Sequence, residues 1–374
     1  MRVLMLHNRY QVRGGEDEST AAEAGILREA GHHVSLLEAD NRAIETPLDA
    51  AAAAISATWN QHWYRKTLDA LREHRADILH VQNFFPQVSP AVYYAARAAA
   101  VPVVQAVRNY RLVCPSAMLF RSGRMCTSCV THRLKTPAII HRCYRGSAAG
   151  SAAVAAMLAL HRFAGTWHRQ VNQFLAVSGY VRDQLVAGGY QAARIAVKPN
   201  FAATRPALPN RRRRHLLYAG RISPEKGIDH LIEAHRLSGV TLPLRIVGGR
   251  PPAHWPVHDG VEWIDPQPLE TVYRMMEEAV AVVIPSILPE PFGRVAVESF
   301  ACGTPVVTSG HGGSAQVVEH EVTGLHYAPG DIAALAAALR RLADDSALAG
   351  NRRSRVTRAV LWPASQPRPA AGGL

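Results

Sequence analysis

From Ile78 to Arg182 the chain contains no aspartate or glutamate, against twelve lysines and arginines. A solvated protein face normally mixes signs, so this span sets up a positive field that favours an anionic partner such as an anionic lipid or a diphosphate-bearing acceptor. Nucleic acid would also suit the charge, but no helix-turn-helix, zinc-finger or RNA-binding signature accompanies it, and nucleic acid is not expected as a partner. The N-terminus lacks a charged n-region followed by an apolar run, and no uncharged apolar stretch approaches the roughly 20 residues needed to cross a bilayer. These absences predict a cytoplasmic protein, one that can still lie peripherally on the inner face of the cytoplasmic membrane. Cysteine is scarce too: of the five, four fall between Cys114 and Cys143, which fits a reducing compartment better than a disulfide framework.

What is present, over 374 residues carrying a net charge of +13, is a repeated alternation of strand and helix long enough for two domains. Met1–His7 reads as a buried strand, Asn8–Arg13 as a loop, and Gly14-Gly15 as the opening of a helix that ends near Gly31, before a strand at His33–Glu38. The loop is not Gly-x-Gly-x-x-Gly, which argues against a dinucleotide site. Gly14-Gly15 is either a simple turn pair or a place where backbone can approach a phosphate closely. Further strands follow at Asp77–Val81, Val101–Ala106 and Gln173–Ser178, the last main strand of the first half. Trp59, Trp63 and Tyr64 give an Ala-rich helical region an aromatic face of core type. The uncharged Ser147–Leu160 is a core helix or an interfacial one flanked by Arg142, Arg145, Arg162 and Arg169.

The boundaries drawn are 1–200 for an N-terminal Rossmann-like domain and 201–350 for a second one, with Phe201–Asn210 and Arg211–Arg214 as linker. Residues 351–374, rich in Arg, Pro and Ala, read as a disordered or altered tail.

The second half is organised around Ala279–Thr308. An apolar strand, Ala279–Ile284, passes through the turn Ser286–Gly293 to a helix at Arg294–Ala301, which Gly303 ends before a strand at Pro305–Thr308. In such a unit the helix N-terminus can hold an anion at the C-terminal edge of a parallel sheet. Glu290 in the loop and Glu298 two turns along can border one crevice, where carboxylates suit sugar and ribose hydroxyls. Upstream, Gly220-Arg221 and Lys226-Gly227 lie between a strand at His215–Ala219 and a helix at Ile228–Leu237, a position where two cations serve binding rather than solvation. Cys114, Cys126, Cys129 and Cys143 are compatible with a four-thiolate structural zinc site, with free buried thiols, or with a redox pair.

Glu290-Pro291-Phe292-Gly293 followed by Glu298-Ser-Phe-Ala-Cys-Gly-Thr-Pro-Val-Val307 resembles the Glu-x7-Glu signature of glycosyltransferase family 4, retaining enzymes that use nucleotide sugars. The resemblance implies the GT-B fold, an α/β architecture of two Rossmann-like domains facing each other across a cleft. It implies a sugar transferred, with retention, from a nucleoside diphosphate sugar to a polysaccharide or lipid-linked acceptor, with no cofactor required for catalysis. Arg221 and Lys226 then meet the donor diphosphate, Glu290 the sugar hydroxyls and Glu298 the ribose, while Pro291, Phe292, Gly293 and the Gly14-Gly15 loop complete the donor site. Arg108-Asn109-Tyr110-Arg111-Leu112 with Cys126-x-x-Cys129 is similar to a polysaccharide-assembly subgroup. In that subgroup a histidine stands where Arg108 does, near the donor sugar, so Arg108 and Asn109 are expected near the sugar or acceptor. A non-catalytic nucleotide-sugar or polyanion-binding protein is the alternative, motivated by Arg108 and the altered C-terminus.

Overall fold

A computed structural model describes residues 1–11, 14–202, 213–252, 255 and 258–344. Most of the expected linker, including Arg211 and Arg212, and the tail 351–374 lie outside the described residues. The chain divides into two compact units, Met1–Asn200 and Phe201–Leu374, each built on a parallel sheet with helices on its faces.

The first unit runs β1 (Arg2–Arg9), α1 (Gly15–Glu29), β2 (His33–Asp40), α2 (Pro47–Ser56), α3 (Gln61–Glu73), β3 (Ile78–Asn83), α4 (Ala91–Ala98) and β4 (Val103–Val107). A small antiparallel hairpin, β5 (Phe120–Arg121) and β6 (Arg124–Met125), precedes α5 (Thr136–Ile140), α6 (Ala148–Phe163), α7 (Thr166–Arg169), β7 (Gln173–Ala176), α8 (Gly179–Ala187) and β8 (Ile195–Val197). The sheet order is β2-β1-β3-β4-β7-β8. β1 is buried over six consecutive positions, as a strand covered on both faces must be, and its apolar run makes that possible. Helix starts follow their caps. The Thr46 hydroxyl accepts from the Asp49 amide with Pro47 at the first turn of α2, Ser147 caps α6, and Ser178 caps α8. Ile195–Val197 forms the edge strand β8, paired in parallel with β7.

The second unit runs β9 (His215–Ala219), a single 3-10 turn at Pro224–Lys226, α9 (Ile228–Ser238), β10 (Leu244–Val247), β11 (Val261–Ile264), α10 (Leu269–Glu278), β12 (Ala279–Ile284), α11 (Arg294–Ala301), β13 (Val306–Ser309), α12 (Ser314–Val317), β14 (Gly324–Tyr327) and α13 (Ile332–Asp344). The order β11-β10-β9-β12-β13-β14 is that of a doubly wound nucleotide-binding sheet, reversing direction between β9 and β12. Alternation along the strands builds two cores. Leu216, Val283 and Val307 pack with α9 and α13 on one face, while Leu217, Val282 and Val306 pack with Tyr273, Met276 and Phe300 on the other.

Candidate active site

The reversal of strand order leaves a crevice outside the C-terminal ends of β9 and β12, and the loops that follow those strands supply the residues there. The two loops are tied together by backbone: the Ile287 and Leu288 amides donate to the Glu225 carbonyl at 3.0 and 3.3 Å. A third loop, after β13, presses on the second, with the Gly313 amide donating to the Glu290 carbonyl at 2.6 Å. Only glycine fits there, because a Cβ on Gly313 would sit 2.2 Å from the Pro291 carbonyl oxygen. Gly293 starts α11 at φ +87, where other residues are strained, and no side chain caps that helix. An anion placed at that helix start would meet the positive end of the helix dipole.

Within this frame the structure brings Lys226 and Glu290 together. The Lys226 ammonium donates to Glu290 Oε1 at 2.6 Å, and the Ser286 hydroxyl donates to the same oxygen. Burial would raise the Glu290 carboxyl, but Lys226 and the two hydrogen bonds hold it below the usual carboxylate range. Arg294 Nε donates to Glu298 Oε1 at 2.7 Å, an i,i+4 pair on α11 in which both side chains are largely buried. Arg221 is the exposed cation of the group, 74% accessible and 3.9 Å from Glu225. His311, from the loop after β13, bonds through Nε2 to the Ile287 carbonyl at 3.0 Å, while its Nδ1 is buried without a partner among the described residues. Both carboxylates thus carry a cation of their own. Sequence reasoning missed the roles of Ser286, Arg294 and His311; the four-residue spacing from Arg294 to Glu298 was the signal for one of them.

The candidate residues of the first unit are placed differently. The Gly14 amide is already used, donating to Asp17 Oδ2 at 2.9 Å, and Glu16, Asp17 and Glu18 fill the first turn of α1. That local negative charge lies beside the Gly14-Gly15 backbone and would weaken its attraction for a phosphate. Arg108 is turned inward: Nη2 donates to Glu23 Oε2 at 2.5 Å and Nη1 to the Gln82 side chain. Lys198 Nζ reaches Glu23 Oε1 at 3.0 Å. Burial would raise the Glu23 carboxyl, but His80, Arg108 and Lys198 hold it below its ordinary range, while burial pushes His80 itself down to about 4. Asn109 Nδ2 donates to Glu16 Oε1 at 2.7 Å, and Arg111 lies over the Phe85 ring at 4.4 Å. Between these groups is a cavity of about 20 Å³ lined by Gln82, Asn83, Gln105, Arg108, Asn109 and Arg111, room for about one water. Glu23 left no trace in any motif.

The cysteines are all free thiols. Cys114 Sγ contacts Ser116 Oγ at 3.2 Å, Cys126 Sγ contacts Ser128 Oγ at 3.5 Å, and Cys129 is buried near the Lys135 carbonyl. Among the described residues no three Cys, His, Asp or Glu side chains form a group that could hold a metal ion. Cys114, Cys126, Cys129 and Cys143 nonetheless lie near enough to act on one another's charge, Cys114 and Cys143 on the Cys129 thiol and Cys114 and Cys126 on the Cys143 thiol, beside their local oxygen partners.

Residues 202–359 match the family described as Glycosyl transferases group 1. Glycogen synthase of Mycobacterium tuberculosis is 35% identical over 191 residues, 48% of this chain and 44% of that protein. D-inositol 3-phosphate glycosyltransferase of Jonesia denitrificans is 36% identical over 128 residues, 29% of this chain and 30% of that protein. The chain thus spans under half the length of these curated relatives. Among solved structures, sucrose-phosphate synthase of Thermosynechococcus elongatus superposes with a TM-score of 0.68 at 18% identity, covering 96% of this chain and 95% of that one. HepE of Anabaena, solved in complex with UDP-glucose, superposes at 0.63 with 18% identity and 96% and 95% coverage. Residues 202–359 thus resemble the Glycosyl transferases group 1 family, and the two-unit α/β fold of parallel sheets is similar to that of GT-B glycosyltransferases.

Proposed function

We propose that the protein is a retaining glycosyltransferase of family 4 that moves a sugar from a nucleoside diphosphate sugar onto a polysaccharide or lipid-linked acceptor. The second unit binds the donor and the first the acceptor, and the enzyme works on the inner face of the cytoplasmic membrane. The observation that carries this reading is the Lys226–Glu290 pair beside exposed Arg221 and the uncapped start of α11. Breaking the anomeric C–O bond loads negative charge on the departing diphosphate. Arg221, Lys226 and the α11 dipole are set to stabilise that charge without a metal. Glu290 accepts from sugar hydroxyls and Glu298, steadied by Arg294, from the ribose. The new bond forms to the acceptor oxygen on the face the diphosphate leaves, and the acceptor proton passes to the departing phosphate oxygen. No protein nucleophile is required.

A second reading, binding without turnover, is favoured by one observation: Arg108 is committed to Glu23 and Gln82 rather than presented to a ligand. Calorimetric titration with UDP, followed by mass spectrometry of products from a panel of donor sugars, separates the two. Binding with no product or hydrolysis from any donor would leave only the second.

A further inference from the structure

Two helices of the first unit expose apolar stripes where a surface helix normally shows charge. On α2 the exposed line is Leu48, Ala52 and Ile55, spaced four and three apart and so on one face; Leu48 and Ile55 are each 81% accessible. On α6 it is Ala149, Ala156, Leu160 and Phe163, with half-buried Ala153 between the first two, again at helical spacing; Leu160 is 56% and Phe163 64% accessible. The opposite face of α6, with Val154, Met157, Leu158 and His161, is buried, so the helix is apolar on both sides. The stripes belong to neighbours: α2 packs against α6, and His161 Nε2 bonds to the Thr58 carbonyl at 2.8 Å. That bond brings Trp59, 44% accessible, to the Leu160–Phe163 end.

We infer that α2 and α6 form a docking face for a bilayer carrying anionic headgroups, with Leu48, Ile55, Trp59, Leu160 and Phe163 entering the acyl boundary. The charge around α6 selects that occupant. It lies inside the span that has no acid from Ile78 to Arg182, and Arg142, Arg145 and Arg169 beside it are exposed. The one carboxylate within α2, Asp49, is turned back onto the Thr46 amide and hydroxyl. A second copy would bring the same basic surface against itself. The C-terminal stretch after Asp345 holds five arginines and no acid, so it offers no complementary charge either. No described helix is long and apolar enough to cross a membrane, and a face of this kind lies in the interface plane instead. Arg162 is not part of it, because its Nη1 donates to the Gly188 carbonyl at 2.6 Å. The inference rests on the proposed transferase only for its purpose, an acceptor held at a membrane.

Co-sedimentation of the full chain with phosphatidylcholine vesicles, and with vesicles containing phosphatidylglycerol, tests it apart from sugar transfer. Wild type should pellet with the anionic vesicles and less so at about 1 M salt, where the Debye length falls to roughly 3 Å. Leu160→Ser with Phe163→Ser, or Leu48→Ser with Ile55→Ser, should weaken vesicle binding about ten-fold or more while melting temperature and UDP binding stay unchanged. Changing Arg142, Arg145 and Arg169 to Gln should remove the preference for anionic lipid. The inference is overturned if wild type stays in the supernatant throughout, or if the serine variants pellet like wild type. It also falls if those variants convert a dimer to a monomer in sedimentation velocity, or if vesicle binding appears only after residues 345–374 are removed.

Discussion

Replacing Glu23 by Ala removes the single carboxylate that two cations share inside the first unit. Arg108 contacts it at 2.5 Å with its side chain 5% accessible, and Lys198 at 3.0 Å with 29%. Breaking a buried pair by deleting one partner typically costs about 3–5 kcal/mol, since the charge left behind has no counter-ion. Arg108 bears that penalty almost alone, because Lys198 can turn to water. At roughly 2–4 °C per kcal/mol for a unit of this size, the transition of the first unit should fall by about 6–20 °C. Differential scanning calorimetry of Glu23→Ala, Arg108→Leu and the double variant Glu23→Leu with Arg108→Leu measures it. The double variant should recover at least about half the loss, as apolar replacement of a buried pair often does. Acid should act in the same direction: Glu23 is held below its unfolded pKa, so its contribution is present above about pH 4.3 and is lost as pH falls through the depressed value. A Glu23→Ala transition within about 1 kcal/mol of wild type, or a double variant no better than the single, would refute the argument.

At the second unit, Arg221→Ala and Lys226→Ala should each lower kcat and weaken UDP binding, with losses of about 10²–10³ in rate for a preorganised stabiliser of the leaving group; unchanged kinetics in both would reject the donor assignment. Glu298→Gln and Arg294→Ala should raise the donor KM together, whereas Glu290→Gln should alter the choice among donor sugars and remove the acid limb of the pH–rate profile. That limb should lie below the ordinary carboxylate range, since Glu290 stays ionised until pH falls through its lowered pKa. If Cys114, Cys126, Cys129 and Cys143 hold a structural zinc, purified protein should carry about one zinc per chain by plasma emission and its melting temperature should drop on chelation; metal-free protein with four titratable thiols and unchanged melting would end the idea.

Much of the second unit was legible because most of its strands are short, largely apolar and bounded on at least one side by glycine or proline. Ala279–Ile284 and Arg294–Ala301 stand where the residue pattern put them. The pairing inside the site was less so: helical spacing could have joined Arg294 to Glu298, but nothing local links Lys226 to Glu290 except the sheet that brings their loops together. The first unit hid more. β8 is three residues with two exposed, too short and too polar in setting to show a period. The cluster of Glu23, His80, Arg108 and Lys198 draws one residue from a helix, one from a strand and two from loops, so only tertiary structure defines it. Arg108 attracted attention as a residue standing in for histidine, yet what its side chain does was decided by Glu23, a residue that reads as an ordinary helix glutamate.

The short contact between Lys226 and Glu290 bears on discrimination among anions. Inorganic phosphate or sulfate that drew the ammonium away from a carboxylate at 2.6 Å would weaken the cation that holds Glu290 ionised. A molecule that brings hydroxyl donors to the carboxylate in the same motion as oxygens to the ammonium satisfies both ends at once. In the proposed transferase the pair would therefore favour an anion and a polyol delivered in one piece over a simple salt.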